Sequence, residues 1–116
     1  MRINVLKSKI QGATVTEARL EYEGSLVIDD SLMKAANIRE YERVLVANFS
    51  NGNRYETYVI KGTADSGIIS VNGAGARYSC VGDRIAIFAF AELEENETIR
   101  PRIVLVDEKN KVKKVI

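Results

Sequence analysis

The sequence predicts a mainly β fold, a small closed β-barrel with one or two short helices. Three observations carry that expectation. Short apolar or alternating runs recur along the chain, each bounded by turn residues, as half-buried strands require. Asn51-Gly52 and Gly82-Asp83 supply tight turn signals between such runs. One stretch alone reads clearly as helix: Leu32-Met33-Lys34-Ala35-Ala36 follows the N-cap candidates Asp29-Asp30-Ser31 and precedes Asn37, a C-terminal stop. Closing the strands into a barrel removes edges that a small sheet would otherwise have to protect.

At 116 residues the chain forms one domain, 1–116, with room for a single modest core. A net charge of +1 with mixed signs gives no pull towards nucleic acid or membrane. No apolar run approaches the roughly 20 residues of a membrane span. Met1-Arg2-Ile3-Asn4 lacks the apolar region of a signal peptide, so a cytoplasmic protein is expected. Cys80 is the only cysteine, which excludes an intrachain disulfide and a multi-cysteine metal site; a buried or bystander thiol is its expected role. Histidine is absent altogether. Ser-His-Asp and Cys-His nucleophile systems and the usual zinc sites are therefore excluded. Any catalysis falls to Tyr, Lys, carboxylates, backbone groups or a cofactor.

Taken in order, Ile3 to Ile10 alternates imperfectly and Gln11-Gly12 interrupts it. Thr14 to Leu20 fits either a strand or a helical turn. Two β-like segments, Leu20–Tyr22 and Leu26–Ile28, flank Glu23-Gly24-Ser25. Asn51-Gly52 suits the two positive-φ positions of a type I′ turn, giving a hairpin of 44–50 with 53–60. Period-2 geometry puts Arg54, Glu56 and Tyr58 on one face of its second strand and Tyr55, Thr57 and Val59 on the other. Strands are also expected at 68–71, 84–90, 103–106 and 111–116. The last overlaps the basic tail from Lys109 to Lys114, read as a solvated strand.

Gly24-Ser25 admits two readings. Glycine tolerates positive φ and serine bonds its own backbone, so the pair reads as a turn. Alternatively, the Ser25 hydroxyl attacks the sterically open Gly24 carbonyl and the chain cuts itself. Asn72-Gly73-Ala74-Gly75 is a second two-sided case. Its small residues would let backbone N–H groups approach an anion, but it matches neither the dinucleotide fingerprint nor the P-loop, and a plain glycine-rich connection fits equally.

Several pieces taken together are specific. They are Lys9-Ile10, Ala13-Thr14-Val15-Thr16, Leu20-Glu21-Tyr22-Glu23-Gly24-Ser25, Ile28-Asp29, Asn51-Gly52 with Arg54 and Thr57-Tyr58, Ile69 to Ala74, and Gly82-Asp83. In this set the sequence resembles the pyruvoyl-dependent aspartate 1-decarboxylases along nearly its whole length. That resemblance implies a double-psi β-barrel, a homotetramer with sites between subunits, and a covalent pyruvoyl group made from Ser25, without metal or pyridoxal phosphate. It implies self-cleavage into residues 1–24 and residues 25–116. It further implies that the pyruvoyl condenses with the amine of L-aspartate and that β-alanine, a pantothenate precursor, is released.

By the same resemblance Thr57 contacts the Gly24 carbonyl and lines the substrate pocket, and Tyr58 is the proton donor. Phenols stay protonated at neutral pH and can serve where histidine is missing. Arg54 would grip a substrate carboxylate through its planar fork, with Lys9 as a second cation for a diacid. Gly73, Ala74 and Gly75 would complete the pocket, with Asn72 and Tyr22 nearby. Thr57 and Tyr58 lie on opposite faces of a regular strand, so the resemblance calls for a bulge or a site shared by two subunits. The sequence departs from the family where Gln11-Gly12 replaces the usual His-Arg and Gly75 the usual Ala. No motif specifies an accessory maturation protein. Two other functions fit the residues. One is a non-catalytic small barrel binding nucleic acid or peptide, disfavoured by the neutral charge and the lack of Trp. The other is a pyruvoyl decarboxylase acting on another acidic amino acid.

Overall fold

The alternating and apolar runs become nine strands in the computed structural model, which describes residues 1–116. They are β1 (Arg2–Thr14), β2 (Glu17–Arg19), β3 (Ser25–Asp29), β4 (Arg43–Asn48), β5 (Arg54–Gly62), β6 (Ile69–Asn72), β7 (Arg84–Glu94), β8 (Arg102–Val106) and β9 (Val112–Val115). One α-helix, α1 (Asp30–Ala36), follows β3, and a 3-10 turn spans Gly73–Arg77. The hydrogen-bonded order is β2-β6-β3-β5-β4-β7-β1-β8-β9. Pairs β1/β8, β2/β6 and β3/β5 are parallel and the rest antiparallel. The fold is mainly β, as expected, and its rungs describe a sheet wrapped about one core.

Ile10, Leu26, Val46, Val59, Ile69 and Ile87 come from six different strands and are fully buried together. Each such side chain contributes about 1.5–3 kcal/mol on leaving water, so stability resides in this shared core. Helix α1 closes one side of it with Leu32, Met33 and Ala36. Its ends behave as their residues dictate. Asp29 is the N-cap, and its buried carboxylate accepts from the backbone N–H groups of Ser31, Asp65 and Gly67 at 2.8–2.9 Å. Asn37 ends the helix in the left-handed region at φ 56°.

Several local expectations are corrected. β1 runs straight through Gln11-Gly12 because both irregularities are absorbed as bulges against β7, one at Lys7 and one at Gly12. Gly12 has φ +89°, the conformation that lets one strand carry an extra residue. The 48–53 connection is a hairpin but not a two-residue type I′ turn. Of Asn51 and Gly52, glycine alone takes positive φ, and the loop is closed by Gly52 N–H to Asn48 O and by the Asn48 and Asn51 side chains. Tertiary pairing of β4 with β7 through Asn48 sets where the strand ends. Strand β2 stops at Arg19, so Leu20–Tyr22 is a bend and not a β segment. Of the two roles expected for Cys80, the buried one does not hold: it is exposed, with its thiol 3.5 Å from Asp83 Oδ1. No helix is long and apolar enough to cross a membrane.

Candidate active site

Ser25 is the first residue of β3, with Asn72 of β6 opposite it in the antiparallel ladder. On its other side the parallel β3/β5 register, Leu26 against Val59, brings Tyr58 beside it. Ser25 is 6 % exposed and Asn72 5 %. The Asn72 amide donates to Ser25 Oγ across a long 3.5 Å, and its own carbonyl oxygen accepts from Ser70 Oγ at 2.9 Å. Ser70 thereby sets which end of the Asn72 amide faces the serine.

The chain reaches Ser25 through the bend at Leu20–Gly24, and the 3-10 turn packs directly on that bend. Gly73 has φ +77°, and a Cβ there would lie 2.6 Å from Gly24 Cα and 2.9 Å from Gly24 N. Only glycine allows two backbones to meet so closely. A Cβ on Gly24 itself would meet nothing within 4 Å, so the other side of that residue is open. The expected glycine-rich connection at 72–75 is thus a structured turn, capped by Tyr78 N–H donating to Gly75 O.

Two clefts open on Ser25. One, of about 280 Å³, is lined by Gly24, Thr57, Tyr58, Asn72, Ala74 and Gly75 among others. The second, of about 430 Å³, is lined by Tyr22, Tyr58, Ser70 and Asn72, and by Glu17 and Arg19. Of the predicted residues, Ser25, Gly24, Thr57, Tyr58, Asn72, Gly73, Ala74, Gly75 and Tyr22 therefore converge. Of the two expected ways to unite Thr57 with Tyr58, the bulge in β5 is absent. β5 pairs without a register shift on both flanks and its alternation is intact, with Tyr58 exposed and Val59 buried. Both residues nevertheless line the smaller cleft beside Ser25.

Lys9 and Arg54 do not join them. Each stacks on the ring of Phe88 instead, Lys9 Nζ at 5.7 Å and the Arg54 guanidinium at 5.8 Å from its centroid. Phe88 lies in β7 between Lys9 of β1 and Leu45 of β4, on a part of the sheet away from Ser25. Neither cation lines either cleft.

Reading the sequence alone misses Glu17 and Arg19. They are ion-paired at 3.1 Å, and Arg19 sits opposite Asn72 in the ladder with its guanidinium 5.8 Å from the Tyr22 ring. Their alternation immediately before the Gly-Ser bend is the one signal that could have placed them. It also misses Tyr55, whose hydroxyl is 2.7 Å from Ser79 Oγ. Burial pushes the Tyr55 phenol above its ordinary range; the Ser79 hydrogen bond opposes this and the Asp83 charge adds to it. No group of three or more Cys, Asp or Glu side chains is placed to hold a metal ion.

A buried serine after an open glycine, backed by a second glycine and flanked by Asn, Thr and Tyr, has the parts for backbone self-cleavage. The comparisons agree on the family. Residues 1–113 match the family described as Aspartate decarboxylase. A protein of Caldicellulosiruptor bescii named Aspartate 1-decarboxylase is 58 % identical over 97 % of this chain and 89 % of its own. Proteins of the same name from Lactiplantibacillus plantarum and Coprothermobacter proteolyticus are 51 % and 50 % identical, over 98 % and 99 % of this chain and 89 % and 96 % of theirs. The chain belongs to the aspartate decarboxylase family.

Proposed function

We propose that this chain decarboxylates L-aspartate to β-alanine and carbon dioxide through a pyruvoyl group that it makes from Ser25. The observation that carries the reading is the meeting of Gly24-Ser25, Thr57-Tyr58 and Asn72–Gly75, from three separate segments, around two clefts. The Ser25 hydroxyl attacks the Gly24 carbonyl carbon, the C–N bond breaks, and an ester forms. Loss of the Ser25 Cα proton expels the Gly24 carboxylate and frees residues 1–24. One water converts the dehydroalanine left at position 25 to pyruvoyl and releases ammonia. Thr57 is the donor for the oxyanion that develops on Gly24, a charge that pre-aimed donors stabilise most in a site shielded from water. Gly73 holds the bend, and Asn72 orients the attacking oxygen.

The pyruvoyl ketone supplies the electron sink that decarboxylation of an amino acid requires. Around it, the backbone of Gly73, Ala74 and Gly75 shapes the substrate pocket, and Tyr58 returns a proton to the substrate carbon that has lost its carboxylate. Its position in the lining of both clefts supports this role. Lys9 and Arg54 recognise carboxylates, and their distance from Ser25 within one chain supports delivery by a neighbouring subunit. A homotetramer with sites between subunits fits that requirement. The half-exposed Phe88 and Phe90, stacked at 6.5 Å on the same face, are the apolar surface such an assembly would cover.

Intact mass under denaturing conditions tests the first half: two species should appear, broken after Gly24. A single full-length species under every condition would sink the reading. Borohydride reduction with aspartate present tests the second half and should add mass only to the chain that begins at position 25.

A further inference from the structure

We infer that Tyr55 is a positioning residue for the Gly24–Ser25 bond, acting through the 3-10 turn that presses on it. The inference rests on the reading that this bond is cut. One face of the turn lies on the bond, through Gly73 and Gly24. Its opposite face lies on Tyr55. A Cβ at Gly75 would sit 3.0 Å from Tyr55 Cε2 and 3.0 Å from Val71 Cγ1, so the ring edge occupies the space a side chain at 75 would need. Gly75 does not have a positive φ. What favours glycine there is thus volume, and the Tyr55 ring and Val71 together limit it.

The far end of the turn is tied to the same tyrosine. Tyr78 and Ser79 N–H both donate to Gly75 O, at 2.9 and 3.1 Å. Ser79 Oγ, buried, lies 2.7 Å from the Tyr55 hydroxyl and accepts from Asn48 Nδ2 at 3.2 Å. Asn48, also buried, donates to Tyr78 O at 2.9 Å and Asp83 Oδ2 at 2.8 Å. Buried polar networks in which every member is paired are stiff, because each bond broken leaves a group unsatisfied. Tyr55 is therefore both floor and tether of the turn. It also shares a strand face with Thr57, two residues on, so a shift of β5 would move the turn and that threonine together.

Attack of a hydroxyl on the preceding carbonyl is steeply sensitive to placement: a misplacement of about 1 Å can cost about a hundredfold. Full-length Tyr55→Phe keeps the ring and removes the tether. Gly75→Ala pushes the turn off the ring, and Tyr55→Leu added to Gly75→Ala restores the volume. Each freshly purified precursor is followed by intact mass, well below its own melting temperature. Tyr55→Phe should release residues 1–24 about tenfold more slowly than the parent, the effect of one net hydrogen bond. Gly75→Ala should be slowed at least as much, and its penalty should be at least about threefold smaller in a Tyr55→Leu chain than in the parent. Such coupling distinguishes fit from general damage, since two independent destabilising changes would add. A folded Tyr55→Phe that cuts at the parental rate, or a Gly75→Ala penalty as large in Tyr55→Leu as in the parent, overturns the inference while leaving self-cleavage standing. A parent chain that never cuts overturns both.

Discussion

Two ends of one sheet make an instructive pair. The β2-β6-β3-β5 side holds Ser25, Asn72 and Tyr58 around clefts, and the one cation lining them is Arg19, already paired with Glu17. The β5-β4-β7-β1 side holds Arg54 and Lys9, both stacked on Phe88 and neither lining those clefts. On the proposed function, bond chemistry and recognition of a second negative charge are thus separated within one chain. A protein that cuts its own backbone would gain from the separation. Self-cleavage requires rigidity and burial at one bond, whereas binding a dianion requires cations that stay solvated until substrate arrives. Meeting between subunits would bring the two together without either compromising the other.

Gly73→Ala should break the first end most completely. A side chain at φ +77° and 2.6 Å from Gly24 must displace the scissile bend, and less than about a tenth of the chain should be cut when the parent is fully processed. Gel separation of the two chains checks this; full cutting would show that the Gly73–Gly24 contact is incidental. Tyr58→Phe should spare cutting and lower kcat by about 10²–10⁴, the range for a lost general acid. Normal turnover would remove Tyr58 from proton transfer.

Arg54→Gln acts on the other end. It should leave cutting intact and raise KM for aspartate about ten- to a hundredfold, the worth of a charge-assisted hydrogen bond. A parental KM would mean that the Phe88 face takes no part in recognition.

The smallest effect is expected at Asp83, where the turn region meets β7. Its carboxyl is held below the usual carboxylate range, chiefly by the Cys80 N–H and then by the Asn48 amide. A depressed folded-state pKa stabilises the fold above the unfolded value, and that contribution is lost as pH falls through the folded one. The melting temperature of the parent should therefore exceed that of Asp83→Asn at neutral pH, and the gap should close in acid, below about pH 4. A gap that stays constant with pH would show that the carboxylate charge is not what matters there.

Much of this architecture was legible in the residues. Asp29 and Asn37 cap α1 because a carboxylate beside free N–H groups and an asparagine in the left-handed region are solutions available within a few residues. The alternation of β5 was equally plain, since period 2 belongs to the strand itself. The Asn51-Gly52 turn type was not. Asn48 gives its amide N–H groups to Tyr78, Ser79 and Asp83, and those distant partners decide the loop. Gln11-Gly12 likewise read as a break, whereas pairing with β7 turns it into a bulge inside one strand.

By itself the sequence determined the mainly β character, the capped helix and the family, together with the open Gly24 carbonyl beside a hydroxyl. These depend on neighbouring residues or on patterns repeated along the chain. Tertiary structure alone decided that Gly73 bears on Gly24, that Tyr55 occupies the space above Gly75, and that Lys9 and Arg54 gather on Phe88 instead of at Ser25. Each of those contacts joins segments far apart in the chain. Strand order and register place them, and no local propensity encodes either.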